Sequence, residues 1–296
     1  MILVDFSQVA ISTLMAELGP QNIESFNESH ADLLRHMIFN CLRSYRMKYR
    51  HEYGDLVICT DARSWRHQSF AYYKAHRKSD REAAASSWGL IFKVINEVRD
   101  DLEKHFPYRV FHIPGAEADD VIAVLCDFLA TQDNTKDVFG SKEPVLIISG
   151  DKDFIQLQKY SFVKQYNPIQ KKWVKPKKDW VTTLKEQVIC GDKGDGIPNF
   201  RSPDNSFVDK IRQKPITEKN LAKWVGQKPE EFCENQEELN GYNRNNKLIN
   251  FQYIPEEVRE AIMYKFYFQT PGNRRDILNY FIAKRMRRFI ELVTDF

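Results

Sequence analysis

The sequence predicts an α/β fold, a central mostly parallel sheet with flanking helices and a basic arch, followed by a smaller all-helical domain. Three observations carry this expectation. Short apolar runs alternate with helical segments through the first two-thirds of the 296 residues. The strand-like runs stop after Asp179, and helical patterns separated by Pro and Gly occupy the rest. A β-α-β alternation requires crossover helices that cover a parallel sheet on both faces. The length suits a larger and a smaller domain, placed at 1–178, with the arch at 62–85, and at 179–296.

Ile2–Phe6, Leu56–Thr60, Arg109–Ile113, Val145–Ser149 and Phe162–Tyr166 read as strands, being short and rich in Val, Ile, Leu and aromatics. Helices are predicted at Ala31–Tyr49, Ser86–His105 and Ala118–Leu129, and later near Thr217–Val225, Glu230–Leu239, Glu256–Phe268 and Arg274–Val293. Ser79-Asp-Arg-Glu82 reads as a capping box that starts a helix. Thr131–Pro144 reads as a polar surface loop.

Composition excludes some classes. Forty-four basic residues against 41 acidic leave a net charge of only +3, so the sum says little about nucleic acid and the local pattern must carry that case. Cys41, Cys59, Cys126, Cys190 and Cys233 are scattered and never spaced CxxC, which argues against a disulfide framework or zinc site and for a reducing cytoplasm. Apolar runs are too short to span a bilayer, Met1 leads into a strand rather than a signal peptide, and no membrane role is expected. Nothing marks a subunit interface, so a monomer is the default.

Acidic residues sit where the strands end. Asp5 closes the first strand, Asp61 follows the second, and Asp151 and Asp153 follow the fourth. Glu117, Asp119 and Asp120 open the helix after the third strand, and Asp192 and Asp195 lie in a glycine-punctuated loop. Ligands of open parallel sheets bind outside the carboxyl ends of the strands, so these side chains should converge in one crevice. Singly, each has a plainer meaning as a turn, an N-cap or a partner of a helix dipole. Together they would repel one another unless they hold hard cations. An all-oxygen set points to Mg²⁺, with Mn²⁺ able to substitute. Two such ions, about 3.5–4 Å apart, activate a water and stabilise the leaving oxygen in phosphodiester hydrolysis.

Leu3-Val-Asp5-Phe-Ser-Gln, Ala116-Glu-Ala-Asp119-Asp120, Ile148-Ser-Gly-Asp151-Lys-Asp153-Phe and Gly191-Asp192-Lys-Gly-Asp195 resemble the acidic motifs of the 5′-nuclease (flap endonuclease) superfamily. Within it the chain is similar to the ribonucleases H of T-even bacteriophages, through Phe70-Ala-Tyr-Tyr-Lys74, Lys171-Lys-Trp-Val-Lys175 and Phe251-Gln-Tyr-Ile-Pro255 as well. The resemblance implies that Asp5, Asp61, Glu117, Asp119 and Asp151 surround a first metal, some through water. It assigns Asp153, Asp192 and Asp195 to a second, with Asp195 the better match, and leaves Asp120 either a water-mediated ligand or a helix cap. It implies 5′→3′ exonuclease and flap cleavage on RNA–DNA and DNA duplexes with 5′ ends, flaps or forks, and primer removal during lagging-strand replication. It further implies a place in the cytoplasm of an infected bacterial host and recruitment by a single-strand-binding protein or sliding clamp. No glutamine-led clamp motif ends the chain, although Phe289–Phe296 is apolar enough to dock on a partner.

The 62–85 stretch carries Arg66, Tyr73, Lys74, Arg77 and Lys78. Basic side chains neutralise phosphates and interleaved aromatics stack on unpaired bases. An amphipathic segment with aromatics in the core explains Phe70 and Tyr72 equally well. Lys74 and Arg77 match the Tyr-Lys-x-x-Arg spacing of the family's arch, which implies that they orient the strand near the attacked phosphate, where a cation stabilises developing charge. Tyr73 is a candidate stacking platform. Lys171, Lys172 and Lys175 suit a duplex-contacting loop or a solvated charged hairpin. Lys284-Arg285 and Arg287-Arg288 read as helix-terminal dipole partners. After Gly191–Asn199 the sequence departs from the family's glycine-rich helix–hairpin–helix, which implies an altered grip on duplex over 196–215. A catalytically inactive, structure-specific DNA-binding replication protein is the alternative from another class. A shorter PIN-type ribonuclease and a phosphoacceptor regulator are more distant.

Overall fold

The computed structural model describes residues 1–77, 85–132 and 142–296. Lys78 and the capping box at Ser79–Glu82 lie outside the described residues, as does most of the 131–144 loop.

Six strands form one sheet in the order β3-β2-β1-β4-β5-β6. They are β1 (Ile2–Asp5), β2 (Leu56–Thr60), β3 (Arg109–His112), β4 (Val145–Ile148), β5 (Val163–Asn167) and β6 (Lys172–Trp173). All neighbours pair in parallel except β5 and β6, which form an antiparallel hairpin. The central strands are buried on both faces, hence their unbroken apolar runs. Successive side chains alternate between faces. Ile2, Val4, Ile58, Leu146 and Ile148 join one core layer, while Leu3, Val57, Cys59, Val145 and Ile147 join the other.

Helices Phe6–Leu18, Ala31–Tyr53 and Ala85–His105 contribute to the first layer, and Ala118–Thr131 to the second. The Phe6–Leu18 helix, absent from the sequence reading, follows β1 without a break because Asp5 serves as its N-cap, accepting from the Gln8 N–H at 3.2 Å. The helical region contributes to both layers. Ile277, Tyr280, Phe281, Phe289 and Phe296 enter the first, and Phe251, Ile254, Val258 and Ile262 the second. The notion of Phe289–Phe296 as a docking strip is therefore corrected: Phe289 and Phe296 are buried against Phe281 and Phe106. Only the stretch from Leu184 to Ile249 builds a cluster of its own, joined by Phe70 and Tyr73 from the bridge.

Helix boundaries also differ from expectation. A Trp180–Cys190 helix precedes the glycine loop, and Glu230–Leu239 resolves into Pro229–Phe232 and Gln236–Ile249. Arg274–Val293 breaks into Arg274–Ala283 and Arg287–Ile290 at Arg285, whose φ is +56°. Among the described residues no helix is long and apolar enough to cross a membrane.

Candidate active site

β1, β2 and β4 deliver Asp5, Asp61, Asp151 and Asp153 to the carboxyl edge of the sheet, because the strands run in parallel and each acid lies at or just past a strand end. The crevice there has a volume of about 840 Å³. Seven carboxylates line it: Asp5, Asp61, Glu117, Asp119, Asp151, Asp153 and Asp195. Lys74 and Arg77 lie on the same wall. The sequence motifs thus meet in one place although they span 190 residues.

Neighbouring groups hold the acids in position. The Ser149 hydroxyl donates to Asp5 Oδ2 at 2.9 Å, and the Gly150 N–H donates to Gln8 Oε1. The Ala118 N–H donates to Asp61 Oδ1 at 2.9 Å, which ties β2 to the start of the next helix. The Asp153 N–H donates to Asp151 Oδ1, and Gln187 Nε2 donates to Asp153 Oδ1 at 2.6 Å. Gln8, Ser149 and Gln187 were not foreseen as site residues. Ser149, inside the Ser-Gly-Asp-Lys-Asp motif, and Gln8, at the end of Leu-Val-Asp-Phe-Ser-Gln, carried a sequence signal, and Gln187 carried none.

The Gly191–Gly196 loop brings in Asp195. Gly191 has φ +71°, and a Cβ there would come within 2.3 Å of the Ile197 carbonyl oxygen, so a side chain would break the turn. Asn245, fully buried, donates to the carbonyls of Val188 and Pro198 and pins the loop to the helical region.

Arg66 and Tyr73 are corrections to the nucleic-acid surface. Both are buried, at 2% and 1% exposure, and neither can reach a duplex. The Arg66 guanidinium bonds Glu117 and Asp120 at 2.9–3.0 Å, approaches Asp119 at 3.6 Å, and donates through Nε to the Leu248 carbonyl. The Tyr73 hydroxyl lies 2.7 Å from Glu117 and 2.9 Å from Asp195. Lys74, with φ +54°, donates its backbone N–H to the Asp195 carbonyl and its ammonium to Glu117. Arg77 donates to the Gly194 carbonyl and to Asp195 Oδ1 at 2.9 Å. The described part of the bridge therefore packs down onto the acids.

Asp120 and Asp192, both expected as metal ligands, already have protein partners. The oxygens of Glu117, Asp119 and Asp120 come within 4.8 Å of one another, a spacing that suits one ion. Asp120 is fully buried, accepts from the Glu117 N–H and holds Arg66, so it serves as the cap while an oxygen of it stays in the group that could share an ion. Asp192 pairs with Lys152 at 2.9 Å and accepts the Asp195 N–H, and its charge is close enough to help raise Asp151 and Asp153. Lys171, Lys172 and Lys175 are exposed on the β5–β6 hairpin, whose turn emerges at the same sheet edge.

Protonation follows this geometry. Burial, then Asp61 and Asp151, push Asp5 up to about 7. Loss of hydration and neighbouring aspartates also raise Asp151 and Asp153, and burial raises Asp119 despite Arg66. Glu117 goes the other way. Burial would raise it, but Lys74, Arg66 and the Tyr73 hydroxyl outweigh that and hold it near about 2. Asp5, Asp61, Asp151 and Asp153 form no ion pair among the described residues. An all-oxygen set crowded enough to raise its own protonation fits a hard divalent cation.

A parallel sheet with a carboxylate-walled crevice at its carboxyl edge is the frame of an α/β phosphodiester hydrolase. The model of the 5′-3′ exonuclease N-terminal, resolvase-like domain matches residues 2–187, and that of the T4 RNase H C-terminal region matches 180–296. The chain is 31% identical to Ribonuclease H of Enterobacteria phage T4 over 309 aligned positions, spanning 99% of this chain and 95% of that protein. It shares its fold with the T5 5′-exonuclease bound to divalent metal ions (zinc), at TM-score 0.57 and 14% identity over 91% of this chain and 99% of the other. The bacteriophage T5 flap endonuclease, in a pseudo-enzyme–product complex with DNA and metal ions, gives TM-score 0.54 at 14% identity over 89% and 96%. The chain belongs to the 5′-3′ exonuclease family and is a 5′-nuclease.

Proposed function

We propose that the chain is a Mg²⁺-dependent 5′→3′ exonuclease and flap endonuclease acting on RNA–DNA and DNA duplexes with 5′ ends, flaps or forks. The observation that carries this reading is the convergence of seven carboxylates on one crevice, four of them in no ion pair among the described residues. Asp5, Asp61, Asp119 and Asp151 would hold one ion, and Asp153 and Asp195 the other. Bound there, the ions would activate water and offset charge on the leaving oxygen. Lys74 and Arg77, which line the crevice, would orient the strand and stabilise charge at the attacked phosphate. Glu117 and Asp195 hold those two cations until a phosphate takes their place. Exposed Lys171, Lys172 and Lys175 would contact duplex at the hairpin edge.

Likeness to a phage Ribonuclease H supports a biological setting as well. That setting is primer removal in lagging-strand replication, in the cytoplasm of an infected bacterium, by a monomer recruited by a single-strand-binding protein or sliding clamp. The test is incubation of the pure protein with a labelled 5′-flap duplex and an RNA–DNA hybrid, with Mg²⁺ or with EDTA. Short 5′-end products only with Mg²⁺ support the reading. Tight binding without cleavage under every metal condition supports the inactive DNA-binding alternative.

A further inference from the structure

A second concavity, of about 450 Å³, is lined by Asp32, Arg35, His36 and the turn Lys284–Arg288. Lys284, Arg285, Arg287 and Arg288 are all exposed, and none forms an ion pair among the described residues. Arg35 is already neutralised by Glu97 and Asp101, at 2.7 and 2.8 Å. Asp32 is the one acid on the wall, against four unpaired cations.

Fold stability accounts for Lys284, which lies over the Tyr280 ring, but not for the three arginines beside it. Lys284 caps the carboxyl end of the Arg274–Ala283 helix, where a dipole favours a cation, but Arg287 and Arg288 belong to a single four-residue turn with little dipole to complement. Four like charges within five residues repel one another. The turn is also held rigidly. The Met286 N–H donates to the Phe281 carbonyl, and the buried Phe289 ring stacks on His36 at 4.3 Å. A fixed, concave and uncompensated positive surface suits a polyanion.

Position says which one. The Ala31–Tyr53 and Ala85–His105 helices lead into β2 and β3, so their N-terminal ends lie toward the sheet edge that carries the acids. Consecutive residues of the second helix face the two cavities. Asn96 lines the carboxylate crevice, and Glu97 holds Arg35 on the wall of the basic one. The two cavities thus flank one helix, whose diameter with side chains is about 10–12 Å, and about three to four base pairs of duplex cover such a span.

We propose that the Lys284–Arg288 turn grips the phosphate backbone of the nucleic acid a few base pairs from the cut, forming a second contact that sets how much duplex the enzyme requires. This inference rests on the nuclease reading above, with the polyanion being the substrate's own backbone. Phosphate contacts of this kind release counterions and carry no base preference.

The test measures affinity by fluorescence anisotropy in EDTA, so it does not depend on turnover. Flap substrates have one duplex arm lengthened stepwise, then the other, and wild type is compared with Arg287→Gln/Arg288→Gln. Lys284→Gln/Arg285→Gln serves as a second variant, and thermal unfolding confirms that both fold. Wild type should gain affinity once one arm reaches the turn, and both variants should lack that gain. Loss of two contacts should flatten the salt slope by about 1.8, so from 50 to 200 mM salt wild type should weaken roughly tenfold more than the variant. Wild-type affinity and slope in both variants on the longest arms would overturn the proposal and leave the concavity to an acidic protein. A wild-type enzyme that binds with this length dependence but never cleaves would instead sink the nuclease reading and leave the backbone contact standing.

Discussion

The two sides of the carboxylate crevice are built from the same residue types and behave oppositely. On one side, Glu117 and Asp120 are met by Arg66, Lys74 and the Tyr73 hydroxyl, and Glu117 stays ionised far below the ordinary range. On the other, Asp5, Asp61, Asp151 and Asp153 form no ion pair among the described residues, and Asp5 is pushed up to about 7. The difference teaches which acids are structural and which are held ready. Neutralised carboxylates stitch the bridge and the helical region to the sheet through Arg66, whose Nε reaches the Leu248 carbonyl. The bare carboxylates would be the main ligands of divalent ions, with Asp119 and Asp195 completing the two sites.

The largest expected effect comes from the bare side. Asp151→Ala should lower kcat on flap substrates by at least roughly 10³-fold, because a lost site for transition-state charge has effects of that order, while binding in EDTA persists. Unchanged turnover in a single-turnover assay would remove Asp151 from the chemistry. Lys74→Ala comes next. If Lys74 acts on the attacked phosphate, kcat should fall about 10²–10³-fold with KM little changed; an effect confined to KM would make it an affinity residue.

On the neutralised side the effect should be on stability. Arg66→Ala leaves Asp120 buried without its cation, while Glu117 keeps Lys74 and Tyr73, at a cost of about 3–5 kcal/mol, read by urea denaturation. A loss under about 1 kcal/mol, typical of an exposed pair, would show that the side is not held as described. The smallest effect contrasts with it. Asp5→Asn keeps an N-cap residue and removes a repelled charge, so the metal-free protein should gain a few degrees in Tm at pH 8. The sign follows from a raised folded pKa. The stability Asp5 contributes is full below its unfolded value of 3.8 and lost as pH rises through about 7. The gain should therefore vanish near pH 4, and a gain that does not vary with pH would contradict the electrostatic cause.

How much of this the sequence could reveal depended on whether the deciding contact was local. Runs such as Val145-Leu-Ile-Ile148 mark strands without help, and acids at their ends locate the crevice because topology alone brings them together. The Phe6–Leu18 helix was missed because it has apolar residues around much of its circumference and no punctuation after Asp5. The break at Arg285 was missed because a left-handed turn there uses neither Gly nor Pro. Arg66 and Tyr73 looked like surface groups of a basic, aromatic run. Their partners, Glu117 and Asp120, lie more than 40 residues away, so their burial is a tertiary fact. The same applies to Phe289 and Phe296, which look like a free apolar tail until Phe106 and Phe281 are seen beneath them.

The central claim, that the bare acids are the ones that take up divalent ions, is tested most directly by calorimetric titration of Mn²⁺ into metal-free protein at pH 8. Wild type should bind two ions per chain, and Asp5→Asn and Asp151→Asn should each lose at least one of them. Heats and stoichiometry that are the same in all three proteins would contradict the account.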